Sequence, residues 1–93
     1  MNTNYVQFSN HAIERLFGRL SGVVDYGTVQ TVLVNKPLRN GEQRVLITTL
    51  DKVVEVQDST ATNGKVKGNK VYAITRVANE NEVNVVTVAL AYN

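Results

Sequence analysis

The stretch that decides the fold runs from Asn10 to Leu20 and reads NHAIERLFGRL. Residues four apart on a helix lie one above the other, so the spacing predicts one polar stripe made of His11, Arg15 and Arg19. The apolar residues of the stretch form the face beside this stripe: Ala12, Ile13, Leu16, Phe17 and Leu20. The pattern therefore predicts an amphipathic helix that buries one face and exposes a line of nitrogen-bearing side chains.

The signals at the two ends of this helix set its expected length. Ser9 and Asn10 are both residue types that accept hydrogen bonds from the first free backbone amides of a helix. The pair Ser21-Gly22 stops the helix, which we expect to run to about Leu20. Gly18 inside it costs ~1 kcal/mol relative to alanine, which indicates either a close approach of the backbone to another group or the end of the helix.

Length and composition bound the class of protein. The 93 residues, 43% of them hydrophobic, fit a single folded domain over residues 1–93. Without cysteine, and with one histidine, the chain has no disulfide and no evident metal site, and we expect no cofactor. No apolar run reaches the ~20 residues of a membrane span, and residues 1–4 lack the pattern of a secretory signal. We therefore expect a cytoplasmic protein without membrane contact.

The segments around the first helix are short. Tyr5–Phe8 is an extended lead-in to it. Asp25–Val34 fits two structures, because Asp25 is a helix-capping residue type while the alternating β-branched residues also suit a strand. The residues alone leave both structures open. Pro37 and the Asn40-Gly41 pair predict a turn after this segment.

The second half of the chain has the composition of β-strands. Four segments have the required β-branched content: Arg44–Leu50, Lys52–Val56, Lys70–Val77 and Val83–Tyr92. The first two also fit one long strand bent near Asp51. Asp58–Gly64 is a polar loop, and Ala78–Glu82 has the length of a hairpin connection. The order of elements predicts an α+β fold, with one N-terminal helix, or two, packed on an antiparallel sheet of about four strands.

His11 is the residue best suited to proton transfer. Its ordinary pKa lies close to physiological pH, and a position near a helix N-terminus favours the neutral imidazole, which is a base. Arg15 and Arg19 would bring fixed positive charge, which binds phosphate. The same three side chains also fit the solvated face of an ordinary helix, and their alignment is the feature that favours chemistry.

Residues elsewhere in the chain are candidates for contact with nucleic acid. The formal charge of +2 is mild, but Lys65, Lys67 and Lys70 lie in a stretch without acids and either contact a nucleic-acid backbone or form a solvated loop. Thr87 and Tyr92 lie on the last predicted strand, where a hydroxyl could position a phosphate oxygen and a tyrosine could stack on a base. Threonine and tyrosine are also common in strands that have no such role.

The segment Phe8–Ser21, FSNHAIERLFGRLS, resembles the opening of small RelE-like toxin families, which often read S-x-H-A-x-x-R-x-x-x-R-x-I-S. These families belong to the wider barnase, EndoU, colicin and RelE ribonuclease superfold. Their chains continue with a short second helix and several antiparallel strands, and the last strands often carry a stretch that resembles Asn84–Val88. The resemblance favours a helix over Asp25–Val34.

The resemblance implies a metal-independent endoribonuclease that cleaves RNA through the ribose 2′-OH, as a toxin does. His11 would be the general base or acid, Arg15 would stabilise the charge that develops on phosphorus, and Thr87 would contact the phosphate. Arg19 would hold the RNA backbone, with Lys65, Lys67, Lys70 and Tyr92 as further RNA contacts. The implied partners are RNA and an antitoxin.

Two further functions remain open. A phage or mobile-element protein could keep this fold without activity and bind a host protein or nucleic acid. A structural role is the third, since the open edges of a small sheet offer a route to a homodimer.

Overall fold

A computed structural model describes residues 3–58, 63–79 and 81–92. These residues form two helices and four strands: β1 Tyr5–Phe8, α1 Asn10–Phe17, α2 Tyr26–Val34, β2 Gly41–Gln57, β3 Lys65–Asn79 and β4 Glu82–Ala91. The predicted α+β class, with N-terminal helices packed on a four-stranded sheet, is confirmed. None of the helices in these ranges is long and apolar enough to cross a membrane.

The sheet has the strand order β1-β4-β3-β2. β3 is antiparallel to both of its neighbours, whereas β1 is parallel to β4, in register from Tyr5 with Glu82 to Phe8 with Val85. The sheet is therefore mixed, and it is antiparallel, as expected, at every pair except this one. β1 was predicted only as an extended lead-in. No tight turn joins it to its neighbour in the sheet, so its direction is not set by a hairpin.

α1 is shorter than its sequence pattern predicts. It ends at Phe17, and Gly18 is its C-cap. The Gly18 N–H donates to the Glu14 carbonyl at 2.8 Å, and a Cβ at position 18 would lie 2.7 Å from that same oxygen. Both explanations offered for this glycine therefore hold, since the helix ends there and the backbone makes a close approach. Leu20 lies in the following turn and is still buried.

The N-terminus of α1 is fixed to the sheet. The Ser9 Oγ accepts from the Ala12 N–H at 3.0 Å and donates to the Val86 carbonyl at 2.7 Å. Ser9 is therefore the N-cap, and the same hydroxyl holds the start of the helix against β4.

The apolar face of α1 is only partly buried. Ala12 and Leu16 lie in the core, but Ile13 and Phe17 are 37% and 68% exposed. Ile13 and Phe17 lie on the flank of α1 that faces α2, where the Phe17 ring is 6.5 Å from that of Tyr26. The prediction that all five apolar residues form one buried face is wrong at these two positions.

Residues 26–34 form a helix, which settles the ambiguity of this segment against the strand. The Asp25 carboxylate caps it by accepting from the Thr28 N–H at 2.7 Å. Val29 and Leu33 lie four residues apart and are fully buried, so the segment presents a helical rather than an alternating apolar face to the core.

β2 and β3 form a hairpin that is longer than the rest of the sheet. The two predicted segments of β2 are one strand, with a register irregularity between Thr49 and Val54, as the expected bend near Asp51 requires. The paired residues 54–57 and 65–68 extend beyond the last β3–β4 pair, Lys70 with Ala91, and we call them the arm.

The arm curls over the core at Gly68. A Cβ at that position would overlap the backbone of Ala91, so only glycine lets β3 cross the end of β4 this closely. Beyond the crossing, Val54, Val56 and Val66 pack against the core from the arm. The arm thereby brings the end of β2 next to α1.

The connections were predicted with partial success. β3 and β4 form the expected hairpin. β3 extends to Asn79 and β4 begins at Glu82, so the connection is shorter than the predicted Ala78–Glu82. Glu80 lies outside the described residues. Asn81 takes a left-handed φ of 64° there, which asparagine tolerates in turns. β4 ends at Ala91 rather than Tyr92. Residues 59–62 of the predicted polar loop lie outside the described residues.

The two faces of the sheet differ. The core residues of β3 and β4 alternate along each strand and share one cluster with buried residues of both helices. The residues between them point to the opposite side, and no described helix or strand covers that side. We call it the outer face; its central residues are Arg44, Leu46, Lys70, Tyr72, Ile74, Thr87 and Ala89.

Candidate functional site

His11 and Arg15 of the predicted polar stripe lie on α1, and Arg19 lies in the turn that follows it. His11 is exposed at the first turn of the helix, and Arg15 Nε donates to His11 Nε2 at 3.2 Å. The structure therefore joins the one titratable base of the stripe to a fixed positive charge, as helical spacing predicts.

Asp58 completes the stripe from outside the helix. Its carboxylate lies 2.9 Å from the Arg19 guanidinium and 3.6 Å from that of Arg15, and its side chain is 11% exposed. The Asp58 N–H donates to the Gly64 carbonyl at 2.8 Å, which joins the two strands just beyond the arm. We call Arg15, Asp58 and Arg19 the ion-pair cluster, which holds the arm against α1.

Sequence reasoning missed Asp58. It lies in the segment taken as a polar loop, far along the chain from both arginines. Only the curl of the arm at Gly68 brings the carboxylate to α1, and the irregular register that accompanies this curl has no signature in the hydrophobic pattern. The sequence offers one indirect signal: an acid beside the end of an apolar strand needs a partner when it is buried.

An open depression of about 250 Å³ lies against the polar stripe and is lined by His11, Glu14, Arg15, Gly18 and Arg19. It brings together an imidazole, a carboxylate and two guanidinium groups. These are the groups that metal-free phosphodiester cleavage needs: two that exchange protons and at least one that stabilises the charge on phosphorus. Glu14 is the second residue that sequence reasoning did not select. Its signal was its place on the helix, three residues after His11 and therefore on a neighbouring row.

Thr87 does not lie with the polar stripe. It pairs with Ile74, between the core residues Ala73 and Thr75, and so belongs to the outer face, on the other side of the sheet from α1. Its Oγ1 is shielded from solvent and has no hydrogen-bond partner among the described residues. The structure therefore separates Thr87 from His11 and Arg15. The register shift beside it, between Ile74 and Thr75, could not be seen in the sequence.

The remaining RNA-contact candidates are dispersed. Lys65 and Lys67 lie on the arm and both pair with Glu55, at 3.6 and 3.9 Å, so the stretch that lacks acids in sequence receives one from the neighbouring strand. Lys70 lies on the outer face, paired with Ala91. Tyr92 follows the end of β4 and is 68% exposed. These residues do not form one surface with the polar stripe.

In the described ranges, no three histidine, cysteine or acidic residues are grouped as metal ligands would be. Comparisons of this chain with protein-family models, with curated proteins and with solved structures find no match. The function is therefore inferred from the geometry of α1 and of the sheet.

Proposed function

We propose that this chain is a metal-independent endoribonuclease-like domain, related to the RelE-like ribonucleases, that cleaves RNA through the ribose 2′-OH. The observation that carries the proposal is the contact of His11 Nε2 with Arg15 Nε at the edge of an open depression. Glu14 and Arg19 line the same depression, so proton-transfer groups and phosphate-binding groups meet there. Cytoplasmic RNA is the proposed substrate, with an antitoxin as the partner that would cover the depression.

The proposed reaction uses the stripe in two steps of proton exchange. A phosphate that accepts a hydrogen bond from the Arg15 Nε–H replaces His11 as the acceptor. The imidazole nitrogen is then free to contact the substrate. The 2′-oxygen then attacks phosphorus and gives up its proton, the bond to the 5′-oxygen breaks, and that oxygen receives a proton. His11 serves one of these transfers and Glu14 is the group available for the other. Arg15 and Arg19 stabilise the charge on the phosphorus oxygens.

A second candidate function has its own observation. Asp58 already neutralises part of the charge of Arg15 and Arg19, and Thr87 lies on the other side of the sheet. Both facts favour a chain that keeps the fold without catalysis and binds a host protein or nucleic acid.

The cleavage proposal is tested by incubating purified protein with total RNA and with tRNA in EDTA. The parent is compared with His11→Ala and with Arg15→Ala. The matched control is Thr31→Ala, which changes an exposed residue of α2 outside the depression. We expect the parent and the control to cleave, and His11→Ala to lose about 10²–10⁴-fold in rate, the usual contribution of a general acid or base.

Two results would overturn this assignment. Folded parent protein that leaves both RNAs intact would leave the non-catalytic candidate. Cleavage that His11→Ala retains in full would remove His11 from the proposed reaction. Capture of a defined host protein or RNA by the inactive parent would then identify what the chain binds.

A further inference from the structure

The outer face combines an aromatic ring with cations at its centre. Tyr72 lies on β3, and the Arg44 guanidinium from β2 stacks over its ring, 4.2 Å from the ring centroid. Leu46 is the cross-strand partner of Tyr72 and is 42% exposed. Lys70 lies two residues from Tyr72 and therefore on the same side of the strand. The partly buried ring of Tyr72 thus has one positive charge over its face and a second on the same side of the sheet.

These two cations differ from most others on the sheet. Lys65 and Lys67 pair with Glu55. Arg76, which also lies on the outer face, pairs with Glu42 at 3.2 Å. Among the described residues, Arg44 and Lys70 make no ion pair. The centre of the outer face therefore carries uncompensated positive charge around an aromatic ring.

We propose that the outer face binds single-stranded nucleic acid, DNA as well as RNA. Bases present flat π surfaces that stack on a tyrosine ring or on a guanidinium plane, and phosphates pair with Arg and Lys. The contacts use no 2′-OH and no His11, so this site is separate from the proposed cleavage site and goes beyond it.

Charge selects nucleic acid over a second copy of the chain as the occupant. Two copies related by a two-fold axis through this face would bring the Arg44 and Lys70 of one copy towards the same residues of the other. Like charges in that arrangement oppose association, whereas a polyanion complements them. Stacking, moreover, tolerates any base sequence, as an open face without shaped pockets requires.

The test is fluorescence anisotropy of a labelled oligothymidylate in EDTA, titrated with the full chain over a range of salt concentrations. Oligothymidylate has no 2′-OH and cannot be cleaved by the proposed reaction. We expect saturable binding that weakens several-fold in Arg44→Gln and in Lys70→Gln, each with a salt slope reduced by about 0.7 for the phosphate contact it loses. Lys36→Gln is the matched control, because it removes an exposed cation that follows α2, and it should bind like the parent.

The aromatic contact is tested separately. Tyr72→Phe keeps the ring and should retain the parent affinity, while Tyr72→Leu keeps apolar bulk without the ring and should weaken binding about tenfold. Circular dichroism of each variant establishes that it is folded.

Three outcomes would overturn the proposal. The first is no binding by the parent, and the second is an affinity equal to that of the parent in Arg44→Gln, Lys70→Gln and Tyr72→Leu. The third is a dimer, detected by analytical ultracentrifugation, that Tyr72→Leu dissociates. His11→Ala should bind the oligonucleotide like the parent; loss of binding there would move the site to α1. Because the cleavage assay does not depend on these variants, this proposal can fail while the RNA-cleavage proposal stands.

Discussion

Asp58 is the residue on which the geometry of the polar stripe depends. Its carboxylate orients Arg15 and Arg19, and Arg15 in turn donates to His11. The two arginines are 20% and 27% exposed, so the cluster is partly shielded from water and its charges interact more strongly than those of a surface pair. One carboxylate thus holds the arm and sets the direction of two guanidinium groups.

We expect Asp58→Asn to lower the free energy of unfolding by about 1–3 kcal/mol, because it leaves two partly buried arginines without their anion. Urea denaturation followed by circular dichroism measures the change. Glu55→Gln is the control, since it breaks the exposed pairs to Lys65 and Lys67 and should change stability by at most about 1 kcal/mol. Equal effects of the two substitutions would show that the cluster is no more than a surface pair.

Gly68 is the second residue with a sharp expectation. Gly68→Ala places a Cβ into the backbone of Ala91, so the arm must shift, and we expect a loss of about 1–3 kcal/mol in unfolding free energy. Gly27→Ala is the matched control, because its Cβ would meet only the Asp25 carboxylate at 3.5 Å and helical alanine is favoured. A Gly68→Ala variant as stable as Gly27→Ala would contradict the close crossing of β3 over β4.

For individual residues, the sequence predicts which side chains are neighbours on one helix and little else about the site. The alignment of His11 with Arg15 follows from helical periodicity alone. The partnership of Arg19 with Asp58 depends on the curl of the arm. The side of the sheet that Thr87 faces depends on a register shift beside Ile74, which no periodicity encodes.

Among the elements, α2 shows how a cap decides between two secondary structures. Its sequence is rich in β-branched residues, yet it forms a helix because Asp25 satisfies the free N–H of Thr28 and because Val29 and Leu33 bury one helical face. The backbone N–H and side chain of Thr28 lower the pKa of the Asp25 carboxyl below its ordinary value of 3.8. The helix therefore has a pH-dependent N-terminus.

The direction of that pH dependence follows from the lowered pKa. A carboxyl whose pKa is lower in the folded state adds stability above pH 3.8, and this stability is lost as the pH falls through the folded-state pKa. Asparagine also caps helices but does not titrate. We therefore expect Asp25→Asn to lose less stability than the parent when the pH is lowered from about 5 to about 2, as measured by urea midpoints. An identical loss in both proteins would contradict the cap.

The elements themselves were largely predictable, and their ends were not. Alternation and β-branched content identified β3 and β4, since a half-buried strand requires that pattern. The parallel pairing of β1 with β4 was not predictable, because a four-residue strand carries too little pattern and no hairpin specifies its neighbour. α1 stops at Gly18 rather than near Leu20, because the backbone of Gly18 leaves helical geometry with φ −101° and ψ −93°.

The two proposed sites lie on opposite sides of the sheet. The helices cover one face of the sheet and carry the depression with His11, and the outer face carries Tyr72 and Arg44 on bare strands. The expected homodimer through a sheet edge stays a prediction. β2 is one outer strand of the sheet, and its irregular register and charged residues are features that discourage edge pairing.

We propose that His11 and Arg15 form a metal-independent RNA-cleaving site. The most direct test of this claim is phosphorus NMR of a short RNA incubated with the full chain in EDTA, beside His11→Ala. We predict the resonance of a 2′,3′-cyclic phosphate with the parent, and intact RNA with the variant. Intact RNA with folded parent protein would contradict the claim, and so would 5′-phosphate ends or a cyclic product that His11→Ala also forms.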